Sequence, residues 1–386
     1  MKGNRITIAK RSLALLLIAA TMIFTFAACG DKGGSEAAGG SSPASGSSAA
    51  PSEEPVAEVD KTDEVHAGDS AEPLDWDKVF AEIDTTEPIK ITLPTFHSSG
   101  GPCIIAEEFG WFDDLNLEIE EVGNIPGGNQ IQSVITGDID FTLGNHADRI
   151  IQCIAQGFPV KIVLAQSEST KDMPHMRWMV PEDSDIDGPE DLVGKKIAMT
   201  YITGGCPVTN LREYLRQGGV TLDQVQMVQM DDNLDPAALE EGIVDVISGH
   251  APTSGAVREQ YGLRTLFTDF DTYGKLGGNN MATSVEILEN EPEKVKRFVA
   301  VIVRAQQWID DHQAEADEIY ARVLELDPAL IESFDHLYYA YDGIEYDQRV
   351  QLWIDDLVIL GEIKEGQIQP EEVYTNEFNP YTWYEG

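Results

Sequence analysis

The sequence contains few basic residues. Its 386 residues include 26 Lys and Arg but 68 Asp and Glu, which gives a formal net charge of −42 at pH 7. Such an excess of negative charge argues against nucleic acid as a partner and against polybasic attachment to anionic lipid. An anionic ligand would need local help from helix N-termini or from the scarce cations. We therefore expect a small-molecule ligand and no nucleic-acid partner.

Cysteine is also scarce, with four residues in the whole chain. Apart from Cys29, which belongs to the amino-terminal segment, the cysteines are Cys103, Cys153 and Cys206. An odd number gives an exported protein no disulfide framework, so one pair with a free thiol and three free thiols both stay open. Cys103 and Cys206 fall at predicted helix starts, where a thiol is either reactive or simply a small polar residue lining a cleft. Cys153 is predicted to be core.

Long apolar runs are absent except near the amino terminus. The segment MKGNRITIAKR is basic, and the apolar run SLALLLIAATMIFTF that follows is short for a membrane span. This pattern predicts a signal peptide over residues 1–28. Ala27, Ala28 and Cys29 resemble the lipobox of bacterial lipoproteins, which implies acylation of Cys29 and attachment to the outer face of the cell membrane. An ordinary secretory signal is the alternative.

Residues 29–86 are rich in Gly, Ser, Ala, Pro and acids and poor in large apolar residues. A segment of this composition cannot bury a core, so we predict a disordered tether behind the lipid anchor. A tether of this kind lets a soluble domain reach over the membrane surface, with the lipid as its only membrane contact.

Motifs that carry catalysis or bind metals are absent from the sequence. No GxxxxGK[ST] cradle, HxxxH or HExxH spacing, Ser-His-Asp order or paired-carboxylate motif occurs. We therefore predict no catalytic residue, no metal ligand and no cofactor.

From Pro88 onward, short β-prone runs alternate with helical patterns, which is typical of an α/β fold with parallel strands. The alternation stops near residue 180 and restarts. It predicts two lobes: a first lobe over residues 87–180, a second over 181–272, and a return to the first lobe with C-terminal helices over 273–386. IDFTL is one predicted strand, and ELDPALIESFDHLYYAY is one predicted helix.

Open α/β sheets bind ligands beyond the carboxyl ends of their strands. Four loops meet this criterion, and they supply the candidate ligand-binding residues Phe96, His97, Ser98, Ser99, Gly144, Asn145, His146, Tyr201, Thr203, Gly204, Gly205, Cys206 and His250.

The most informative of these loops is TYITGGCPVTN, which joins a strand to a helix. Gly204 and Gly205 would let backbone N–H groups approach a ligand closely, and a plain turn that needs glycine for its dihedral angles is the alternative. Phe96 and Tyr201 are candidates to sandwich a flat ligand. His97, His146 and His250 each lie in a predicted ligand loop, where they serve as hydrogen-bonding residues, meet an anion or bind a metal.

Three stretches together resemble one family: ITLPTFHSSGGPCIIAEEFGWFDDLNLEIE, GNQIQSVITGDIDFTLGNHAD and GPEDLVGKKIAMT. In order and spacing they are similar to solute-binding proteins of ABC importers, in the branch for nitrate, sulfonates, taurine and thiamine-precursor pyrimidines. The resemblance covers residues 88–365. It implies a two-lobe periplasmic-binding-protein fold of type II, a monomer that closes on a small solute, and an ABC permease with its ATPase as partners.

Two other functions stay open. Fungal members of this family synthesise the thiamine pyrimidine with a cysteine-rich motif, which this sequence lacks. A two-lobe ligand-sensor domain for a membrane signalling partner is the other alternative.

Overall fold

The computed structural model describes residues 71–385 except for 97–100, 126, 201, 203–204, 231–234, 275–278, 326, 328, 330–332, 334, 340 and 344–345. The predicted signal peptide, Cys29 and most of the predicted tether lie outside the described residues. The end of the predicted tether is not disordered. A helix begins at Trp76, where the Asp75 side chain accepts from the Lys78 N–H, and the Trp76 indole N–H donates to Gln307 at 3.0 Å. The tether prediction was therefore wrong from Trp76 onward, because the Trp76 indole packs against the apolar core.

In the described part of the chain, the helices are α1 (Trp76–Ala81), α2 (Gly101–Phe109), α3 (Trp111–Asp114), α4 (Gly127–Thr136), α5 (Ala147–Ala155), α6 (Cys206–Gln217), α7 (Asp235–Glu240), α8 (Thr253–Gln260), α9 (Asp269–Tyr273), α10 (Val285–Asn290), α11 (Pro292–Asp311), α12 (Gln313–Val323), α13 (Tyr346–Ile359), α14 (Pro370–Val373) and α15 (Pro380–Trp383).

The strands are β1 (Ile89–Leu93), β2 (Leu117–Glu121), β3 (Asn145–His146), β4 (Val160–Ala165), β5 (Met176–Pro181), β6 (Lys196–Met199), β7 (Gln226–Gln229), β8 (Val246–His250), β9 (Leu263–Thr268) and β10 (Asn279–Ser284).

The strands of the described residues form three sheets. A five-stranded sheet of order β7-β6-β8-β5-β9 is built within residues 176–268, and we refer to this part as the second lobe. The parallel pair β1-β2 and the sheet β3-β10-β4 come from the chain on either side, which we refer to as the first lobe. Because β5 pairs with β8 and β9, the second lobe starts near Met176, a few residues before the predicted boundary.

Each lobe has its own apolar core. Helix α11 has an apolar face, with Phe298, Val301, Ile302 and Ala305 fully buried in the first lobe. In the second lobe, the Trp178 ring stacks on Phe267 with centroids 4.2 Å apart. Trp178 is therefore a core residue of the second lobe.

The predicted strand IDFTL is not a strand in the structure. Its backbone bonds to scattered partners: the Asp140 N–H donates to the Thr92 carbonyl at 2.8 Å, and the Leu143 N–H donates to the Gln130 side chain at 2.8 Å. The prediction was wrong because these hydrogen bonds take the place of regular pairing with a neighbouring strand. Pairing begins only at the following Asn145 and His146.

The predicted helix ELDPALIESFDHLYYAY is wrong over its second half. Residues 335–339 are not helical, and Tyr338 instead forms an isolated antiparallel bridge with Glu168. The Tyr339 ring is buried in the first-lobe core, so tertiary packing overrides the local helical pattern. The following helix α13 ends at Ile359, and Gly361 just beyond it has a φ of 70°.

Among the helices of the described residues, none is both long enough and apolar enough to cross a membrane.

Candidate ligand-binding site

The structure describes seven of the predicted ligand-binding residues: Phe96, Gly144, Asn145, His146, Gly205, Cys206 and His250. The others lie outside the described residues: His97, Ser98, Ser99, Tyr201, Thr203 and Gly204.

Cys206 and His250 lie together at one edge of the second-lobe sheet. Strands β6 and β8 are parallel, so the loop after β6 and the end of β8 meet at the same edge. Cys206 is the first residue of α6 in that loop, and His250 is the last residue of β8. The Cys206 Sγ and His250 Nε2 atoms are 3.3 Å apart. The sheet topology thus joins two residues that the sequence predicted separately.

The structure adds His175, which the sequence analysis missed. His175 directly precedes β5, whose first residue, Met176, pairs with His250 in an antiparallel register. The rings of His175 and His250 have centroids 5.2 Å apart. His175 is 2% exposed, and neither ring nitrogen has a hydrogen-bond partner among the described residues. In the sequence, the only feature that could have indicated His175 is its position directly before the strand that begins at Met176.

Burial and neighbouring imidazoles keep His175 neutral. Burial lowers the pKa of His175 well below its ordinary value, and the charges of His250 and His146 act in the same direction. His146 comes from the first lobe. A first-lobe residue therefore contributes to the lowered pKa of His175, which lies at the entry to the second lobe.

Asp269 anchors the chain around His175. Its carboxylate accepts from the Ser169 hydroxyl and, at 3.2 Å, from the Met176 N–H, and Ser169 Oγ also accepts from the His175 N–H at 3.2 Å. Burial raises the pKa of Asp269 to about 6, although these hydrogen bonds oppose the rise. The backbone on both sides of the His175 ring is thereby fixed.

Asn145 and His146 form the first-lobe side of the site. Gly144 precedes them with a φ of 87°, a conformation that suits glycine. Asn145 and His146 are both buried, and His146 Nδ1 lies 2.9 Å from Asp148 Oδ1. Burial alone would raise the pKa of Asp148, but the charge and hydrogen bond of His146 lower it overall.

Helix α6 connects the two sides of the site. Thr209, one turn after Cys206, donates from its hydroxyl to Asp148 at 3.2 Å. Further along α6, Arg212 forms an ion pair with Asp356 of α13, and the Tyr273 hydroxyl donates to the same carboxylate at 3.1 Å. Helix α6, which begins with Cys206, is thus bonded to Asp148, the partner of His146.

The structure also places Phe96 and Cys103. Phe96 is partly buried against the first-lobe core, and its N–H donates to Glu121 at 3.2 Å. Cys103 neither lines the cleft nor is reactive: it is fully buried in the first-lobe core, and burial raises the pKa of its thiol. That hypothesis was wrong because desolvation outweighs the helix N-terminus. Cys103, Cys153 and Cys206 are all free thiols.

The structure also has a small pocket beside α12. It is lined by Asp317, Tyr320, His336 and Tyr339 on the first lobe and by Pro252. None of the predicted ligand-binding residues that the structure describes lines it. We place the candidate site at the cluster between the lobes because that is where buried polar side chains converge.

Comparison with known proteins identifies the family. Residues 98–316, more than half of the chain, match the family described as NMT1/THI5 like. The chain belongs to the NMT1/THI5-like family. A protein of Brucella abortus named as a binding protein is 28% identical over 231 residues, which cover 59% of this chain and 69% of that protein. The taurine-binding periplasmic protein of Escherichia coli is 26% identical over 185 residues, which cover 47% and 54%.

Solved structures confirm the fold of this NMT1/THI5-like chain. The alkanesulfonate-binding protein SsuA of Xanthomonas axonopodis pv. citri, bound to MOPS, superposes with a TM-score of 0.60 at 17% identity over 75% of this chain and 99% of its own. The periplasmic nitrate-binding protein NrtA of Synechocystis gives a TM-score of 0.62 at 13% identity over 76% and 88%. The predicted two-lobe periplasmic-binding-protein fold is therefore confirmed.

Proposed function

We propose that this protein is an extracytoplasmic receptor that captures a small solute between its lobes and delivers it to an ABC importer. The observation that carries the proposal is the buried polar cluster between the lobes. Cys206, His250 and His175 come from the second lobe and its entry, and Asn145 and His146 come from the first. A solute bound there contacts both lobes and so favours the state in which they are closed.

The solute class follows from the relatives and from the side chains at the site. Relatives are assigned to taurine and aliphatic sulfonates, and structural neighbours are named for alkanesulfonate and nitrate. The Asn145 amide and the histidine rings supply hydrogen-bond donors suited to an oxyanion or to a polar heterocycle. We propose a sulfonate-, nitrate- or pyrimidine-like solute.

A thermal-shift screen tests the proposal. The full chain is heated with taurine, ethanesulfonate, nitrate and an aminopyrimidine, and with glucose as a negative control. A bound solute at 100 times its dissociation constant stabilises the protein by about 2.7 kcal/mol. We expect one class to raise the melting temperature and to be taken up by cells only when the gene is present. Binding without any effect on uptake would favour the sensor alternative.

We also propose that a lipid on Cys29 anchors the protein. Cys29 lies outside the described residues, so this proposal rests on the signal segment alone. The variant Cys29→Ala should be released from the membrane fraction or remain unprocessed, as judged by fractionation and the mass of the mature chain. A variant that is processed and stays membrane-bound like the parent would contradict the anchor.

A further inference from the structure

We propose that His175, Cys206 and His250 form a binding site for a divalent transition-metal ion of the zinc class. These residues also belong to the solute site proposed above, but the metal would bind them without a solute or an importer. No metal-binding motif in the sequence indicates this site, because the three residues are distant in sequence. They come from the entry to β5, the start of α6 and the end of β8.

The geometry of the three side chains suits a metal ion. One ligand atom from each residue lies within 4.8 Å of the other two, and Cys206 Sγ and His250 Nε2 are 3.3 Å apart. Ligand atoms on one tetrahedral Zn²⁺ are separated by about 3.3–3.6 Å, given Zn–S and Zn–N bonds of about 2.3 and 2.0–2.1 Å. Closing the cluster onto an ion therefore requires side-chain shifts of about 1 Å or less.

His175 supplies an independent observation. A buried imidazole normally satisfies at least one ring nitrogen, because an unpaired buried polar group costs about 1–3 kcal/mol. His175 is 2% exposed, and both of its ring nitrogens lack a hydrogen-bond partner among the described residues. A metal ion bound to one nitrogen would account for a ring held in this position.

The donor set selects the class of ion. Two imidazoles and a thiolate suit Zn²⁺ and related borderline ions, whereas Mg²⁺ and Ca²⁺ require oxygen ligands. Three protein ligands leave a tetrahedral ion with a fourth position for water or for a donor atom of the solute.

The three ligands are also attached to strands of one sheet. His250 and Met176 pair in the same sheet, and Asp269 holds the backbone at Met176. Cys206 follows β6, which is parallel to β8 in that sheet. The site is therefore preorganised within the second lobe and its entry, and we expect it to bind metal whether or not the lobes close.

Cobalt titration tests the site. Chelator-treated full-length protein is titrated with Co²⁺, which gives a thiolate-to-cobalt charge-transfer band when a cysteine is a ligand. We expect this band to saturate at one equivalent and to disappear when Zn²⁺ is added. Cys206→Ser should abolish the band, and His175→Gln and His250→Gln should each weaken Co²⁺ binding at least tenfold.

Matched control variants separate the site from other thiols and imidazoles. Cys153→Ser changes a half-buried cysteine of the first lobe, and His312→Gln changes an exposed histidine. Both should keep the band and the affinity, and circular dichroism in chelator confirms that every variant is folded. A folded parent without the band would overturn the proposal, as would a band that survives in Cys206→Ser. Because no solute is involved, these failures leave the solute-binding proposal standing.

Discussion

At the scale of single residues, histidine–carboxylate pairs recur in the described structure. His146 pairs with Asp148 inside the site, and His336 pairs with Asp317 at the edge of α12, with His336 Nε2 3.0 Å from Asp317 Oδ2. The two pairs differ in exposure: the His146 side chain is 6% exposed, and that of His336 is 39% exposed. The first pair therefore holds the buried junction of β3 and α5, whereas the second provides a modest, pH-dependent surface contact.

The His336–Asp317 pair predicts a pH-dependent stability. Its hydrogen bond to Asp317 raises the pKa of His336 above the ordinary 6.5. A raised histidine pKa means that the folded state favours the protonated ring, so the stabilisation is complete below the ordinary value and is lost as the pH rises through the raised value. His336→Gln should lower the free energy of unfolding at about pH 5.5 by less than about 1 kcal/mol, with no loss at about pH 8.5.

Urea denaturation at the two pH values measures this difference. Asp317→Asn should reproduce it, and the double variant should lose no more than either single variant. A loss of equal size at both pH values would show that His336 acts by packing alone.

At the scale of elements, helix α6 begins where the backbone accepts glycine almost exclusively. Gly205 precedes Cys206 with φ 79° and ψ 171°, and Pro207 is the second helical residue. A side chain at Gly205 would meet only the Pro207 Cδ atom, at 3.9 Å, so the obstacle is the backbone conformation and not a lack of space. This conformation positions Cys206 and, one turn later, Thr209.

Gly205→Ala should therefore destabilise the protein by about 1–3 kcal/mol. The matched control is Gly128→Ala in α4, where no positive φ or close contact opposes a side chain, and we expect no loss there. Thermal unfolding and solute titration on the same purified variants separate two roles for Gly205. A lower melting temperature with normal affinity indicates a plain turn, whereas weaker affinity in the folded fraction supports the ligand loop.

The sequence predicts most elements but not the irregular ones. Periodic segments such as α11 and β4 appear where the apolar pattern places them. Strand β10, NNMATS, is polar and was not predicted, yet it lies between β3 and β4 and pairs with both. This strand forms because it pairs with β3 and β4, and local residue propensities contain no information about that pairing.

The same limit applies to the site. Cys206 and His250 could be predicted because each follows a recognisable strand. His175 could not, since its place beside His250 depends on the antiparallel register of β5 against β8. Register between strands distant in sequence is not encoded in any short motif.

At the scale of the whole molecule, contacts between α6 and the first lobe hold the lobes together. The Arg212–Asp356 ion pair is partly buried, with side-chain exposures of 21% and 11%, and Tyr273 also donates to Asp356. None of these groups belongs to the predicted ligand loops. These three residues therefore stabilise the state in which the lobes are in contact, and they do so without belonging to the candidate solute site.

Arg212→Met should therefore weaken solute binding by shifting the protein toward open states. Because apparent affinity falls with the fraction of protein that is competent to bind, we expect a loss of about 3- to 10-fold. Small-angle scattering should show a larger radius of gyration without solute. Arg216→Met is the matched control, since Arg216 pairs with Glu213 on the same helix. Identical scattering from the Arg212 variant and the parent would contradict this role.

The proposed capture of a solute between the lobes is tested by calorimetric titration of the parent, Asn145→Ala and His146→Ala. The titrant is whichever of taurine, ethanesulfonate, nitrate and the aminopyrimidine stabilises the parent. We predict one bound solute per parent chain and at least tenfold weaker binding in both variants, about 1.4 kcal/mol, because a lost polar partner leaves ligand groups unpaired in a closed cleft. Unchanged affinity in both folded variants would place the site elsewhere, and a parent that binds none of the four solutes would contradict the proposed ligand class.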